Sequence, residues 1–493
     1  MNKQLSLSQA LDQQLAGFAG VGIEDNDVVL NVDIERPVDD EGVPVDTADT
    51  PEAELVDAQQ EEAEVVETED KLETLQDTEE SLESIRADVA RFASAGGMSQ
   101  DVAGVMHARV LEVTARAGVS LEAYMPSLES YGGSANQYAT TVSLENKVTD
   151  ALRAFWKWIS ETVAKLWEQL KSWAVKITSA VRKFNVRAKA LLREVAKING
   201  EAKEGGLEGG IAKAVYVESG TIAQAAVNLE KLAQVCLDAA PNKFTNFAAS
   251  SSVGTFEAAS ELEKGAAKID GRGIKEVFGG FAQAVTSTKI KSGNAGIAYL
   301  KGNPMLGGKA FALSDASAIP DVNLTGDVKD GSFIEKFINS VDSVAKVVRA
   351  CKAEVVSTAG DKAKAAKEAP VASKADMKTI LDAVIGATDA AYKYEQAYAK
   401  REAAAKEIVK YAADEAKAAD KAEQANVQAI KANGKLALII WQSVGQIERV
   451  ALSAVASQSK TYLEYVTASM KQYGAEAPKA EGEGEGKKEG EAK

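Results

Sequence analysis

A mainly α-helical protein is what this sequence predicts, on three observations. Apolar residues recur every three or four positions over long stretches, as one face of a helix requires. Apolar residues make up 45% of the chain and aromatics only 6%, which suits helices packed through Ala, Val and Leu better than aromatic-rich sheets. Proline, the residue that most often interrupts a helix, occurs nine times in 493 residues. A chain of this length exceeds what one core organises, so two or three folded units are expected.

Taken in order, residues 1 to 24 place Leu7, Leu11, Leu15 and Phe18 on one stripe, the pattern of a short docking helix. Residues 25 to 80 are dense in carboxylates and poor in aromatics, so self-repulsion predicts disorder. From Ser81 to Leu121 a helical pattern returns through Leu82, Ile85, Val89, Phe92, Val105 and Val110, broken by "SAGGMSQ". Residues 1 to 129 thus read as an acidic, largely disordered segment, followed by a Gly/Ser/Asn-rich linker over 130 to 145. The strongest helix lies over 146 to 199, where Val148, Leu152, Phe155, Ile159, Val163, Leu166, Leu170, Trp173, Ile177, Val181 and Phe184 keep the three-four spacing. Asn199-Gly200 supplies the expected stop.

Residues 200 to 350 form a Gly-rich, mostly helical region, with helices expected in "TIAQAAVNLEKLAQVCLDAA" and "GSFIEKFINSVDSVAKVVRACKAEVV" and a small β-hairpin in "IAYLKGNPMLGGKAFALSD". Over 351 to 473 a long helical hairpin is predicted. Its first helix, 372 to 431, is built on Met377, Leu381, Val384, Tyr394, Tyr398 and Ile408, and its second, from Lys435 to Tyr473, on Leu436, Ile440, Val444, Ile447, Val455 and Tyr462, with Asn433-Gly434 as the turn. Residues 474 to 493 are a low-complexity tail, expected to be disordered.

The net charge of −16 conceals an asymmetry. Residues 1 to 129 carry 30 Asp and Glu against seven Lys and Arg, a net of −23, and the remainder carries a net of +7. The positive excess is concentrated in 146 to 199, with 12 Lys and Arg against four Asp and Glu; residues 200 to 493 have 38 of each. Such a cationic helix would hold DNA without sequence preference through its phosphates, with Arg182, Lys183, Arg187, Lys189 and Arg193 as the densest part. The same helix holds four of the five tryptophans, Trp156, Trp158, Trp167 and Trp173, so an interfacial membrane site is an alternative. A blander account makes the apolar stripe core and the lysines a solvated face, with Lys157, Glu161 and Lys165 as pairs at four-residue spacing.

The tripeptide Ser127-Leu128-Glu129 falls where the charge changes sign, and Ser130 opens the Gly-rich stretch "SYGG" that would present the bond in extended form. Position, charge change and the "SYGGSANQYATTVSLENKVTDALRAFWKWI" that follows make the chain resemble the internal head (inner body) proteins of large tailed bacteriophages, of the phiKZ-like giant phages and, more distantly, the T4-like ones. The resemblance implies a precursor whose propeptide is removed by the prohead protease at a Ser/Ala/Gly-any-Glu site, here after Glu129, leaving a mature part in the capsid with DNA. By the same rule, cuts at Glu24, Glu83 and Glu122 fit further trimming of the discarded piece. Ser143-Leu144-Glu145 also matches the rule but reads better as a helix-start signal.

Enzyme classes find little support. The one histidine, His107, lies in the acidic segment, which disfavours His-dependent triads and most zinc or iron sites in the remainder. No phosphate-cradling or dinucleotide glycine loop occurs, and no cofactor or metal is implied. Paired carboxylates need no motif, and nothing points to them. Cys236 and Cys351 have no partner motif and are expected to be buried thiols. With no secretory or membrane-spanning pattern, the protein is expected to be made in the host cytoplasm and to end inside the capsid.

The expectation is therefore a non-enzymatic virion protein whose acidic leader keeps the basic helix from nucleic acid until the leader is cut away. Its expected partners are the prohead protease, packaged DNA and other capsid-internal or scaffold proteins. The alternatives are an ejected, membrane-active protein acting through the tryptophan helix, and a scaffold with no ligand.

Overall fold

A computed structural model describes residues 50–118, 134–203, 205–249, 271–292, 296–320, 331–418 and 424–473. The helix expected in 1 to 24, the tail after 473 and the bond after Glu129 lie outside the described residues. The chain is mainly α-helical with a four-stranded antiparallel sheet and a two-stranded one, and forms two compact units assembled from separated segments. One contains Val56–Val175 and Ala405–Leu438; the other contains Thr50–Leu55, Lys176–Ala404 and the chain from Ile439 on.

The structure corrects the expectation of disorder over the part from 51 to 80; residues 25 to 49 lie outside the described residues. From Pro51 to Ser94 the chain is one helix, α1. Thr50 caps it, its hydroxyl accepting from Ala53 N–H at 3.2 Å; Pro51 holds the first helical position, and Glu52 and Glu54 suit the positive end of the dipole. Along α1 the residues Ala58, Val65, Thr68, Leu72, Leu75, Glu79, Leu82, Ile85 and Val89 are buried, at spacings of three, four or seven. That is a narrow apolar seam of coiled-coil type, with the carboxylates filling the remaining positions. Charge density does not oppose folding when most charges stay on the wet side and the buried Glu79 has Lys435 3.9 Å away.

Gly96 and Gly97 turn the chain out of α1, both with positive φ. Ser99 caps α2, Gln100–Arg116, whose Arg109 pairs with Asp88 of α1 at 3.2 Å. The third helix, α3, runs from Ser134 to Lys197, so the expected linker is helical from Ser134 on and Ser143 does not start a helix. Within this unit α1 and α3 run antiparallel: Glu61 accepts from Ser172 at 3.0 Å, and Thr141 Oγ1 accepts from Met98 N–H at 3.0 Å. A side chain at Gly97 would stand 2.8 Å from the Gln137 backbone, so only glycine lets the turn pass α3 this closely. Lys435 reaches α1 as well, donating to the Gln76 carbonyl at 3.5 Å and pairing with Glu80 and, at 3.9 Å, with the buried Glu79.

The second unit holds both sheets. After β1, Leu207–Glu208, and the short α4, Gly210–Ala214, comes α5, Ile222–Ala233. It passes through a π turn at Gln234–Ala239 into α6, Ala240–Ala249, and α7, Gly271–Phe281, follows. Strands β2 (Val285–Ser292), β3 (Ala298–Met305) and β4 (Lys309–Ser314) lead to α8, Gly331–Ala350, and then β5, Ala353–Ser357. The sheet order is β2-β3-β4-β5, all antiparallel. The expected hairpin is β3–β4, with Tyr299 opposite Ser314 and Met305 opposite Lys309. The strands β2 and β5 extend it beyond the prediction, and the end of the stretch expected to be helical through Val356 is β5.

Following α9, Gly360–Ala365, and β6, Glu368–Ala369, which pairs with β1, two long helices close the fold: α10, Lys374–Ala418, and α11, Gln424–Met470. Helix α11 runs through Asn433-Gly434, correcting the expected turn; residues 419 to 423, between the two helices, lie outside the described residues. One helical glycine costs about 1 kcal/mol, which strong helix formers on either side outweigh.

Between Ile439 and Met470, α11 presents polar side chains to other backbones. Gln446 accepts from Ala353 N–H at 2.9 Å and donates to its carbonyl at 2.8 Å, fixing β5. Gln458 does the same for Leu306 in the β3–β4 turn, at 3.0 and 3.5 Å, and Ser443 donates to Val348 O at the end of α8 at 2.9 Å.

Leu82 is fully buried in the α1 seam, so Leu82→Ala is expected to cost about 2–5 kcal/mol in denaturant unfolding of the full chain. An unchanged midpoint would mean that α1 does not pack. Burial also pushes the Cys351 thiol up to about 12 and raises that of Cys236 further. Both are expected to resist alkylation at pH 8 in the folded chain and to react once it is unfolded, read as label incorporation by mass spectrometry.

Candidate nucleic-acid interface

The candidate interface is the C-terminal part of α3, in the second unit. Its helix is dictated by the apolar spacing, with Ile177, Ala180, Val181, Phe184, Ala188, Leu191 and Val195 buried, and it stops at Asn199-Gly200, where Gly200 has φ of 103°. At 3.6 residues per turn the cations fall in two groups, one opposite the buried row and one beside it. Arg182, Lys189 and Arg193, spaced i, i+7 and i+11, share one part of the polar face; Lys183 and Arg187, spaced i and i+4, share another.

The two groups differ in what they face. Lys189 and Arg193 are exposed. The Arg182 guanidinium donates to Glu395 at 2.8 Å and lies 4.9 Å from the centroid of the Tyr392 ring, yet its side chain stays 54% exposed. In contrast, Lys183 donates to Glu54 Oε1 at 2.8 Å with both side chains mostly covered, and Arg187 donates to Glu52 Oε1 at 2.8 Å. Ser179 donates to the same Glu54 oxygen at 3.1 Å. The five predicted residues are therefore a more exposed group, in which Arg182 also pairs with Glu395, and a more covered group matched to carboxylates of α1.

Sequence reasoning did not identify Glu52, Glu54 and Ser179 as partners. The signal lay in Thr50-Pro51-Glu52-Ala53-Glu54: a capping residue, proline at the first helical position and acids in the first turn together announce a helix start. A helix starting at Thr50 would have brought those acids into view as ordered side chains.

The tryptophans divide in another way, all in the first unit. Trp173 and Trp158 are buried, and Trp158 meets Phe155 edge to face with centroids 4.9 Å apart. Trp167 is half-buried, and the side chain of Trp156 lies outside what the structure describes. The expected Lys157–Glu161 pair is present at 3.6 Å. Among the described residues no helix is long and apolar enough to cross a membrane.

Of the expected cleavage sites, Glu24, Glu122 and the Ser127-Leu128-Glu129-Ser130 segment lie outside the described residues. Glu83 and Glu145 sit inside α1 and α3, each preceded by a buried leucine, Leu82 and Leu144. A protease that needs an extended segment does not find one at either bond while the helices persist.

A family model of phiKZ-like phage internal head proteins matches residues 57–468, well over half of the chain, beginning within α1. No curated protein and no solved structure matches.

Limited digestion of the full chain with a glutamate-specific protease is expected to spare the bonds after Glu83 and Glu145 under native conditions and to cut both in denaturant. Native cutting at Glu83 at the rate of an unfolded peptide would show that α1 does not protect it.

Proposed function

The chain belongs to the phiKZ-like phage internal head proteins, and on that premise we propose that it is a non-enzymatic structural component, made as a precursor and associated with packaged DNA. Its location inside the phage head follows from the family. The association with DNA rests chiefly on one observation, the more exposed Arg182, Lys189 and Arg193 on α3, in the segment that holds the chain's positive excess. Each phosphate neutralised releases condensed counterions, so binding of this kind is independent of sequence and falls steeply with salt. Prohead protease cutting after Glu129 would take place during assembly in the host cytoplasm, with other capsid-internal or scaffold proteins as neighbours.

Packing of α1 refines that scheme. Seven large apolar side chains of α1 are buried, Leu55, Val65, Leu72, Leu75, Leu82, Ile85 and Val89, each worth about 1.5–3 kcal/mol relative to exposure. A cut after Glu129 severs the chain and leaves that burial intact. Loss of the −23 leader is then a dissociation that follows the cut. Membrane activity through Trp156, Trp158, Trp167 and Trp173 has weaker support, because Trp158 and Trp173 contribute to the core.

Two measurements test the reading. The chain recovered from mature particles is expected to have the intact mass of residues 130–493; a Met1 start with no shorter species overturns processing. With the full chain and duplex DNA, Lys189→Gln and Arg193→Gln are each expected to reduce the slope of log affinity against log salt by about one. Vesicle leakage without DNA retention would favour the membrane reading instead.

A further inference from the structure

We propose that Ser179, Lys183 and Arg187 form a latent phosphodiester site on α3, occupied in this chain by the Glu54 and Glu52 carboxylates of the first turn of α1. The inference rests on the DNA-association reading above and adds a second, gated group of contacts to it.

The three residues lie at i, i+4 and i+8, so they form one row, with successive positions about 6 Å apart along the helix, on the scale of neighbouring phosphates of one strand. A hydroxyl, an ammonium and a guanidinium in a row are the donor set that takes anionic oxygens. Each already does so: Glu54 Oε1 accepts from Ser179 at 3.1 Å and from Lys183 at 2.8 Å, and Glu52 Oε1 accepts from Arg187 at 2.8 Å. Two carboxylates stand where two phosphates would.

The cover is imperfect and local. Glu54 Oε2 is buried and has no hydrogen-bond partner among the described residues, so one oxygen of the masking carboxylate is desolvated without compensation. Glu52 and Glu54 belong to the terminal turn of α1, where helices open most readily. Of residues 50 to 55 in the second unit only Leu55 is buried, so beyond the two ion pairs little apolar packing holds that turn, and opening it leaves the seam from Ala58 to Val89 in place. A polyanion can therefore compete for the row by lifting one turn, without expelling the helix. Protease cutting at residue 129 is not required for the exchange. Departure of the whole helix makes the site permanently available.

The test uses the full chain, duplex DNA of mixed sequence and affinities measured across a salt series. Glu52→Gln/Glu54→Gln removes the competing charge while keeping the shape, and is expected to steepen the slope of log affinity against log salt by about two, one for each cation released to a phosphate. Adding Lys183→Gln/Arg187→Gln is expected to cancel that gain, and Ser179→Ala to lower affinity without altering the slope. Circular dichroism and the unfolding midpoint establish that each variant folds; the charge swap Glu52→Lys/Glu54→Lys with Lys183→Glu/Arg187→Glu, which restores the pairing, is expected to fold and to show no gain. An unchanged slope in the folded Gln/Gln variant overturns the latent site, and DNA binding by the wild type that is lost in Lys189→Gln/Arg193→Gln leaves the DNA reading standing. Absence of binding by wild type and variant alike overturns both.

Discussion

Burial of one narrow apolar seam on a highly acidic helix is the constraint on which the rest depends. If α1 keeps Leu72, Leu75, Leu82 and Ile85 out of water, its carboxylates must line the remaining faces, and some of them must meet the helices it packs on. Glu61 with Ser172 and Glu80 with Lys435 in one unit, and Glu54 with Lys183 and Glu52 with Arg187 in the other, are those meetings. The acidic helix α1 acts through ordered contacts of named pairs. It is more than a diffuse field, and detaching α1 would be a packing problem as well as an electrostatic one.

What could be read from the sequence followed the strength of the local signal. Helix α3 was legible because Val148 to Phe184 keep one apolar row and Asn199-Gly200 ends it; the β3–β4 hairpin was legible because Gly307-Gly308, both at positive φ, separate two short apolar runs. The N-terminal part of α1 was not, because an average over 25 to 80 dilutes six seam positions among many carboxylates, although the spacing survives the dilution. The strand β2, all Thr, Ser, Lys and single apolar residues with both faces mostly wet, carries no alternation to detect, and β5 is too short to separate from the helix before it. Of the candidate site, the cations were visible as composition. Their division into more covered and more exposed groups depended on a helix expected to be absent.

The second unit shows the complementary strategy. Its long α11 buries Ile440, Val444, Ile447, Val455 and Val466 and also uses Gln446 and Gln458 as paired donor-acceptor arms on the backbone of β5 and of the β3–β4 turn. Amide side chains suit this task because they offer both a donor and an acceptor, matching the N–H and C=O of one residue on the strand or turn. A small sheet is thereby positioned by a helix from a distant part of the sequence.

The outer strand of that sheet bears on life in a crowded shell. Strand β2 ends the sheet order, and an open strand edge is a template on which neighbouring molecules polymerise when they are forced together. Its pairing with β3 slips register twice, and Lys289 and Lys291 stand along it, exposed. Kinks and lysines along an edge strand are features that work against fibre-like stacking on that edge.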